Sequence, residues 1–225
     1  MSARLSVVIP TLDAADRLGP TLAALAEGLT EGLIRELILS DGGSSDGIER
    51  VADDVGARLV TGPASRGGQL RRGTEAARGD WLLLLHADTV LARGWTREVR
   101  RHMEAAPEAA GFFRLAFDAS GLAPAFVAGW ANLRSRAFGL PYGDQGLLVA
   151  RRVLAEAGGV PDQPLMEDVA LARRLPTRPL EATATTSAER YRREGWLRRG
   201  ARNLSTLALW YVGVAPERLA RRYSR

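Results

Sequence analysis

Cysteine is absent from the 225 residues, lysine is absent too, and histidine occurs only at His86 and His102. The first absence excludes a disulfide framework, a cysteine-bound zinc and a thiol nucleophile. The second excludes a P-loop lysine, a Schiff-base lysine and the kinase lysine. All 31 basic side chains are arginine, which reads as a codon-bias signature. Two histidines exclude a His-rich metal site. Uninterrupted apolar runs fall far short of the ~20 residues a membrane span needs, and nothing after Met1 has the shape of a signal peptide. The expectation is a soluble, cytoplasmic protein. Hydrophobic residues make up 46% and charged residues 25% of the chain, which excludes disordered and collagenous classes. The length suits one domain with a large core.

The formal charge of +5 is unevenly spread. Residues 191–225 hold nine arginines and two glutamates, a net of +7, which leaves −2 for residues 1–190. Basicity therefore belongs to the tail, and the sequence expectation is no nucleic-acid partner.

Hydrophobic patterning predicts strand–helix repeats through the first half. Leu5–Pro10, Leu33–Ser40, Arg58–Thr61 and Asp80–Leu85 read as strands. Asp16–Leu29 carries leucines at helical spacing, and a second helix runs from the Gly62–Gly68 loop to Ala77. Apolar strands alternating with helices predict a mainly parallel, Rossmann-like sheet flanked by helices. The second half reads as mixed: strands at Gly111–Asp118 and Gly146–Ala150, helices at Pro124–Phe138 and Met166–Leu175 and over most of Glu194–Val212.

Ligands of such sheets bind beyond the carboxyl ends of the strands, and the polar motifs fall there. Asp41 opens the run Asp41-Gly42-Gly43-Ser44-Ser45-Asp46-Gly47, expected to cap the next helix; its carboxylate could also accept from a base or ribose. Asp88, in His86-Ala87-Asp88, could hold Mg²⁺ or Mn²⁺ bridging a diphosphate or simply cap a turn. A haloacid-dehalogenase reading of this stretch fails, because its nucleophilic aspartate would fall on His86. Arg66, Gly67, Gly68 and Gln69 open a helix in a way that suits a phosphate or a solvated turn. Glu167-Asp168 begins a helix, where acids are favoured by the dipole alone, and could supply a general base. Gly143-Asp144-Gln145-Gly146 also reads as a turn. The aromatic, arginine-rich stretch Trp196–Tyr211 suits a helix packed on the core or a membrane interface.

In their joint order, V-V-I-P-T-L-D, L-S-D-G-G-S-S-D-G, A-R-G-D-W-L-L-L-L-H-A-D, Y-G-D-Q-G and M-E-D-V resemble the family-2, GT-A-fold glycosyltransferases. The resemblance runs from about Leu5 to Tyr223. Within that family the chain looks most like the small radical-SAM/selenodomain-associated, arsenosugar-type branch. Gly79–Asp88, Asn132-Leu133-Arg134-Ser135-Arg136, Phe138–Gly146, Pro164–Asp168 and Thr186-Ser187-Ala188 carry that closer match.

The resemblance implies one domain over 1–225: a nucleotide-sugar half (1–90), an acceptor and catalytic half (91–190) and a basic helical tail (191–225). It implies that Pro10, Thr11, Leu12 and Asp13 pack on the donor base, and that Asp41, beside Gly42, recognises base or ribose. Arg66 and Gln69 would approach the donor. His86, Ala87 and Asp88 match the D-x-D-type motif, Asp88 being the ligand for Mg²⁺ or Mn²⁺. Glu167-Asp168 matches the E-D pair with Asp168 as base, and Tyr142, Gly143, Asp144 and Gln145 would face acceptor or donor sugar. His86 departs from the usual first acid, and Asp13 and Arg71 stand where asparagine is common. The Q-x-x-R-W motif of processive synthases is missing, Ala188-Glu189-Arg190-Tyr191 being a loose echo. The implied activity is inverting transfer from a nucleoside-diphosphate sugar, UDP-linked first, to a small-molecule acceptor. A sugar-1-phosphate nucleotidyltransferase, which would want a glycine-rich basic loop after the first strand, and a non-catalytic nucleotide-binding module are the alternatives. Peripheral membrane contact through the tail stays open.

Overall fold

The computed structural model describes residues 4–223. The chain runs β1 (Leu5–Thr11), α1 (Ala15–Thr30), β2 (Ile34–Asp41), α2 (Ile48–Asp54), β3 (Arg58–Thr61), α3 (Arg66–Ala76) and β4 (Trp81–Leu84). Then come β5 (Thr89–Leu91), α4 (Trp95–Ala105), β6 (Ala110–Phe117), α5 (Leu122–Phe138), a 3₁₀ turn at Gly143–Gln145 and β7 (Leu147–Ala150). The remainder is α6 (Arg151–Glu156), α7 (Glu167–Ala172), β8 (Thr177–Thr186), α8 (Glu189–Glu194), α9 (Trp196–Tyr211) and α10 (Pro216–Tyr223).

All eight strands form one sheet in the order β3-β2-β1-β4-β7-β6-β8-β5. The first four are mutually parallel, with Thr11 level with Asp41 and Asp41 level with Thr61. This is the predicted Rossmann-like half, and its central strands β1 and β4 are buried because helices cover both faces. Beyond β4 the sheet is mixed: β7 runs antiparallel to β4 and β6, β8 parallel to β6, and β5 antiparallel to β8.

Burial on α1 falls on Leu18, Thr21, Leu25 and Gly28, one helical stripe. Gly28 lets Trp95 of α4 lie against this helix; a Cβ there would sit 2.8 Å from the indole. The first turn of α3 is pressed against the 161–163 loop, where Gly67 N–H donates to the Gln163 carbonyl. A Cβ on Gly67 would collide with the Pro161 carbonyl and sit 2.6 Å from that of Gln163. Backbone cannot rotate aside as a side chain can, so Gly67→Ala is expected to destabilise by roughly 1–3 kcal/mol. Urea unfolding checks this; wild-type stability would contradict the contact.

The structure corrects several sequence expectations. The Asp41–Gly47 loop ends at the N-cap of α2, Gly47 at φ 83°, but no side chain in it caps that helix; Asp46 instead accepts from the Ala15 N–H that opens α1. Most of Glu194–Val212 is helical as expected, in α9, with Gly195 (φ 87°, ψ 136°) separating α8 from α9. Strand β8 was not expected. It contains Pro179, and its inward row is Leu180, Ala182, Ala184 and Thr186, so its period of two is written mostly in small residues. The tail packs on the core: Trp196 stacks on Tyr191 at 4.7 Å, and Trp210 joins a cluster with Leu140, Met166, Val169 and Leu219. No helix among the described residues is long and apolar enough to cross a membrane.

Candidate active site

A cleft of about 610 Å³ opens beyond the carboxyl ends of β1 and β4. Pro10 and Leu12 reach it from the end of β1, Arg66 and Gln69 from the start of α3, and His86, Ala87 and Asp88 from the end of β4. Tyr142, Gly143 and Asp144 close one side, and Asp168 projects from the first turn of α7.

Asp168 is held at both oxygens. Gly143 N–H donates to Oδ2 at 2.8 Å and Val169 N–H to Oδ1 at 2.7 Å. The turn presenting it is strained: Met166, its N-cap, has φ 65°, a left-handed conformation that costs a non-glycine residue of order 1 kcal/mol or more. Gly143 is fixed by His86 as well as by Asp168, since a Cβ on it would collide with Nε2 of the imidazole. Burial, then the charges of Arg66 and Arg190, hold His86 well below its ordinary pKa, so it faces the cleft as a neutral ring.

Glu167 points away from the cleft into the core. It is 1% exposed and neither carboxylate oxygen has a hydrogen-bond partner; Arg66 Nε lies 3.6 Å from Oε1. Burial, then the neighbouring Asp168, raise its carboxyl to about 7 against the pull of Arg66. Asp144, also orphaned at a buried Oδ1, is raised to about 6 by burial, with Arg134 opposing.

Several predicted residues hold the walls and do not line the cleft. Asp41 is buried, and its carboxylate accepts four bonds: from Thr11 and Ser44 hydroxyls on Oδ1 and from Gly43 and Ser44 N–H on Oδ2. Those bonds, the Ser44 hydroxyl most strongly, outweigh burial and hold it below the usual carboxylate range. Two oxygens offer about four lone-pair positions, so Asp41 is saturated by its own loop together with Thr11 of β1. Thr11 is consumed in that loop. Asp13 (φ 46°) accepts from Ser45 N–H at 3.0 Å and so ties the first loop to the second. Gln69 lines the cleft, but its amide donates to the Thr11 and Ser40 carbonyls, clamping β1 to β2, and Gly42 leaves room for that side chain. Gln145 is fully buried, donating to the Phe113 carbonyl and accepting from the Ser135 hydroxyl. It anchors the 3₁₀ turn to β6 and α5 and does not face the cleft.

Sequence reasoning missed the far wall. Arg190, Tyr191, Arg199, Asn203 and Tyr223 line the cleft, so α8, α9 and α10 are part of the site. Arg199 pairs with Glu194 at 3.0 Å and donates to the Tyr223 hydroxyl. Arg190 makes no ion pair or hydrogen bond among the described residues; burial and the nearby Arg66 and Arg199 weaken its hold on its proton, while Asp88 opposes this. The only sequence signal was the loose echo at Ala188–Tyr191. The cleft thus brings a backbone-anchored carboxylate, Asp168, together with arginines and Asp88.

The sequence profile of glycosyl transferase family 2 matches residues 6–137, more than half of the chain. The chain belongs to glycosyl transferase family 2. It is a transferase domain with a GT-A-like fold. Glucosyl-3-phosphoglycerate synthase of Mycolicibacterium paratuberculosis (strain ATCC BAA-968 / K-10) is 34% identical over an alignment taking in 38% of this chain and 29% of the synthase. This chain thus matches less than a third of that relative's length. Among solved structures, the mannosyltransferase PcManGT of Pyrobaculum calidifontis, in complex with GDP-Man and Mn²⁺, superposes with a TM-score of 0.67 at 17% identity, covering 96% of this chain and 67% of that one. TarS of S. aureus in complex with UDP gives 0.62 at 15% identity, covering 84% and 62%. These likenesses establish the fold.

Proposed function

We propose that this glycosyl transferase family 2 domain transfers a sugar, with inversion, from a nucleoside-diphosphate sugar, UDP-linked first, to an alcohol acceptor. The observation that carries the reading is the placement of Asp168 and Asp88 in one cleft with Arg66 and Arg190. Asp168, oriented by two backbone N–H groups, takes the acceptor's hydroxyl proton. The oxygen attacks the sugar's anomeric carbon from the face opposite the diphosphate, and the bond from that carbon to the diphosphate oxygen breaks. The electron pair leaves with the nucleoside diphosphate, whose added charge meets Arg66 and Arg190. One base suffices, because a neutralised diphosphate leaves without a proton.

Among the described residues no group of three or more His, Asp or Glu side chains is arranged to hold a metal ion. The donor set fits Mg²⁺ or Mn²⁺ when one carboxylate, Asp88, is supplemented by diphosphate oxygens, an arrangement common for hard divalent cations. A bound ion would neutralise the leaving diphosphate. The GDP-Man and Mn²⁺ in the archaeal relative and the UDP in TarS support a nucleotide donor. The arsenosugar-type resemblance supports a small-molecule acceptor. Asp88→Ala is expected to abolish the Mn²⁺-dependent part of nucleotide binding while leaving the metal-free part unchanged. Equal Mn²⁺ dependence in wild type and variant, by calorimetry, would remove Asp88 from the metal role.

A further inference from the structure

A second cavity, of about 930 Å³, runs between α5 and α9. Val127, Trp130, Leu140, Leu175, Leu204 and Leu207 make most of its wall apolar. Its rim stays open: Phe138 is 70%, Leu204 54% and Trp130 49% exposed. An uncovered apolar concavity of this size is characteristic of a ligand site. Tyr142, Asp144, Tyr191 and Asn203 line both this groove and the donor cleft, so the two share a wall at the turn that anchors Asp168.

Two orphaned polar groups mark that junction. Arg134 is 9% exposed; its Nε donates to the Leu140 carbonyl and its guanidinium lies 3.5 Å over the Tyr142 ring, but its buried Nη2 has no partner among the described residues. Asp144 Oδ1 is the second orphan, and Arg134 is the charge acting most strongly on Asp144. Both groups line the groove, and a hydroxyl can accept from the unmet N–H and donate to the unmet carboxylate oxygen. An unpaired buried group is costly, so both favour a bound partner of that kind.

From the orphaned pair at the head of an apolar groove beside Asp168, we infer that the acceptor is a single-chain amphiphilic alcohol. One hydroxyl of its head lies between Arg134 and Asp144, a second faces Asp168 as the nucleophile, and its hydrocarbon chain lies in the groove between α5 and α9. This inference deepens the transferase reading and rests on it for the word acceptor. Among the described residues lining the groove, only Arg134 and Asp144 carry a buried side-chain polar atom without a partner, whereas a peptide would need polar partners along its length.

The probes are 1-O-alkylglycerols of six to ten carbons, below their micelle concentrations, titrated calorimetrically into the whole protein with and without UDP or GDP. Affinity is expected to rise about fourfold per added methylene, with glycerol itself silent. Methylating the probe's free hydroxyls should cost tenfold or more. Gly200 lines the groove, and a Cβ there meets no atom within 4 Å. Gly200→Phe is therefore expected to enter the groove from a helix face with no clash at its Cβ, and should weaken the decyl probe at least tenfold with nucleotide affinity unchanged. Affinity indifferent to chain length, or indifferent to Gly200→Phe, overturns the inference. So does light scattering that shows a dimer which Gly200→Phe dissociates, because a second copy then fills the groove. Failure of nucleotide binding while alkylglycerols still bind would instead sink the donor reading and leave the groove standing.

Discussion

Asp168→Asn is expected to lower turnover by roughly 10²–10⁴-fold, the range for losing a general base, while nucleotide affinity stays within about a factor of two. The carboxylate is held by the N–H groups of Gly143 and Val169, so its placement owes nothing to a substrate. Asparagine keeps the shape and one acceptor oxygen but has no basic lone pair for the acceptor's proton. Its amide would turn an N–H toward one of the two backbone donors, so a modest loss of stability accompanies the loss of rate. The readout that separates chemistry from misfolding is nucleotide binding. A variant that binds nucleotide and turns over at the wild-type rate would remove Asp168 from the base role.

The second large effect concerns Glu167, and its sign is unusual for a carboxylate beside an arginine. Its folded-state pKa of about 7 stands above the 4.5 of an unperturbed glutamate, because burial and Asp168 outweigh Arg66. The folded state therefore holds this proton more tightly than the unfolded chain does. Its contribution is fully present below pH 4.5 and is lost as pH rises from 4.5 through 7. Above that window the ionised group costs the fold roughly 3 kcal/mol. Glu167→Gln should accordingly be more stable than wild type at pH 8 by on the order of 2–3 kcal/mol, with most of the gain gone at pH 5. Arg66→Met should act in the opposite direction at pH 8, by about 3 kcal/mol, since it leaves a buried carboxylate unpaired. The double variant should recover most of that loss. Denaturant midpoints across pH 5–8 decide this, and a Glu167→Gln effect independent of pH would contradict it.

The parallel half of the sheet was legible because its central strands β1 and β4 are apolar runs buried on both faces, which local sequence cannot disguise. The polar residues at its carboxyl ends were legible for the same reason, as topology puts strand ends together. What each of those residues does there was not legible. Asp41 and Asp88 both end buried strands, yet Asp41 is saturated by four bonds from its own surroundings and Asp88 lines the cleft. Nothing in the string D-G-G-S-S tells that Ser44 and Gly43 turn their N–H groups back on the acid. Gln145 illustrates the same limit, since its partners Phe113 and Ser135 are distant in sequence. Strand β8 was hidden by Pro179 and by small residues that carry little hydrophobic signal. The far wall of the cleft was hidden by chain order. Arg199 sat in the basic tail, read as a helix packed on the core or at a membrane interface, and Arg190 in a loose echo of a missing motif; only the folding of α8–α10 back across the strand ends brings both into the cleft with Asp88.

The central claim is that the cleft beyond β1 and β4 is a nucleotide-diphosphate site. Its most direct test is calorimetric titration of UDP and GDP into the purified protein with Mn²⁺, repeated on Arg190→Ala, whose side chain makes no ion pair or hydrogen bond among the described residues. The account predicts saturable one-to-one binding of one of the two nucleotides, weakened about tenfold or more by Arg190→Ala with no change in thermal stability. A folded protein that binds neither nucleotide would contradict it.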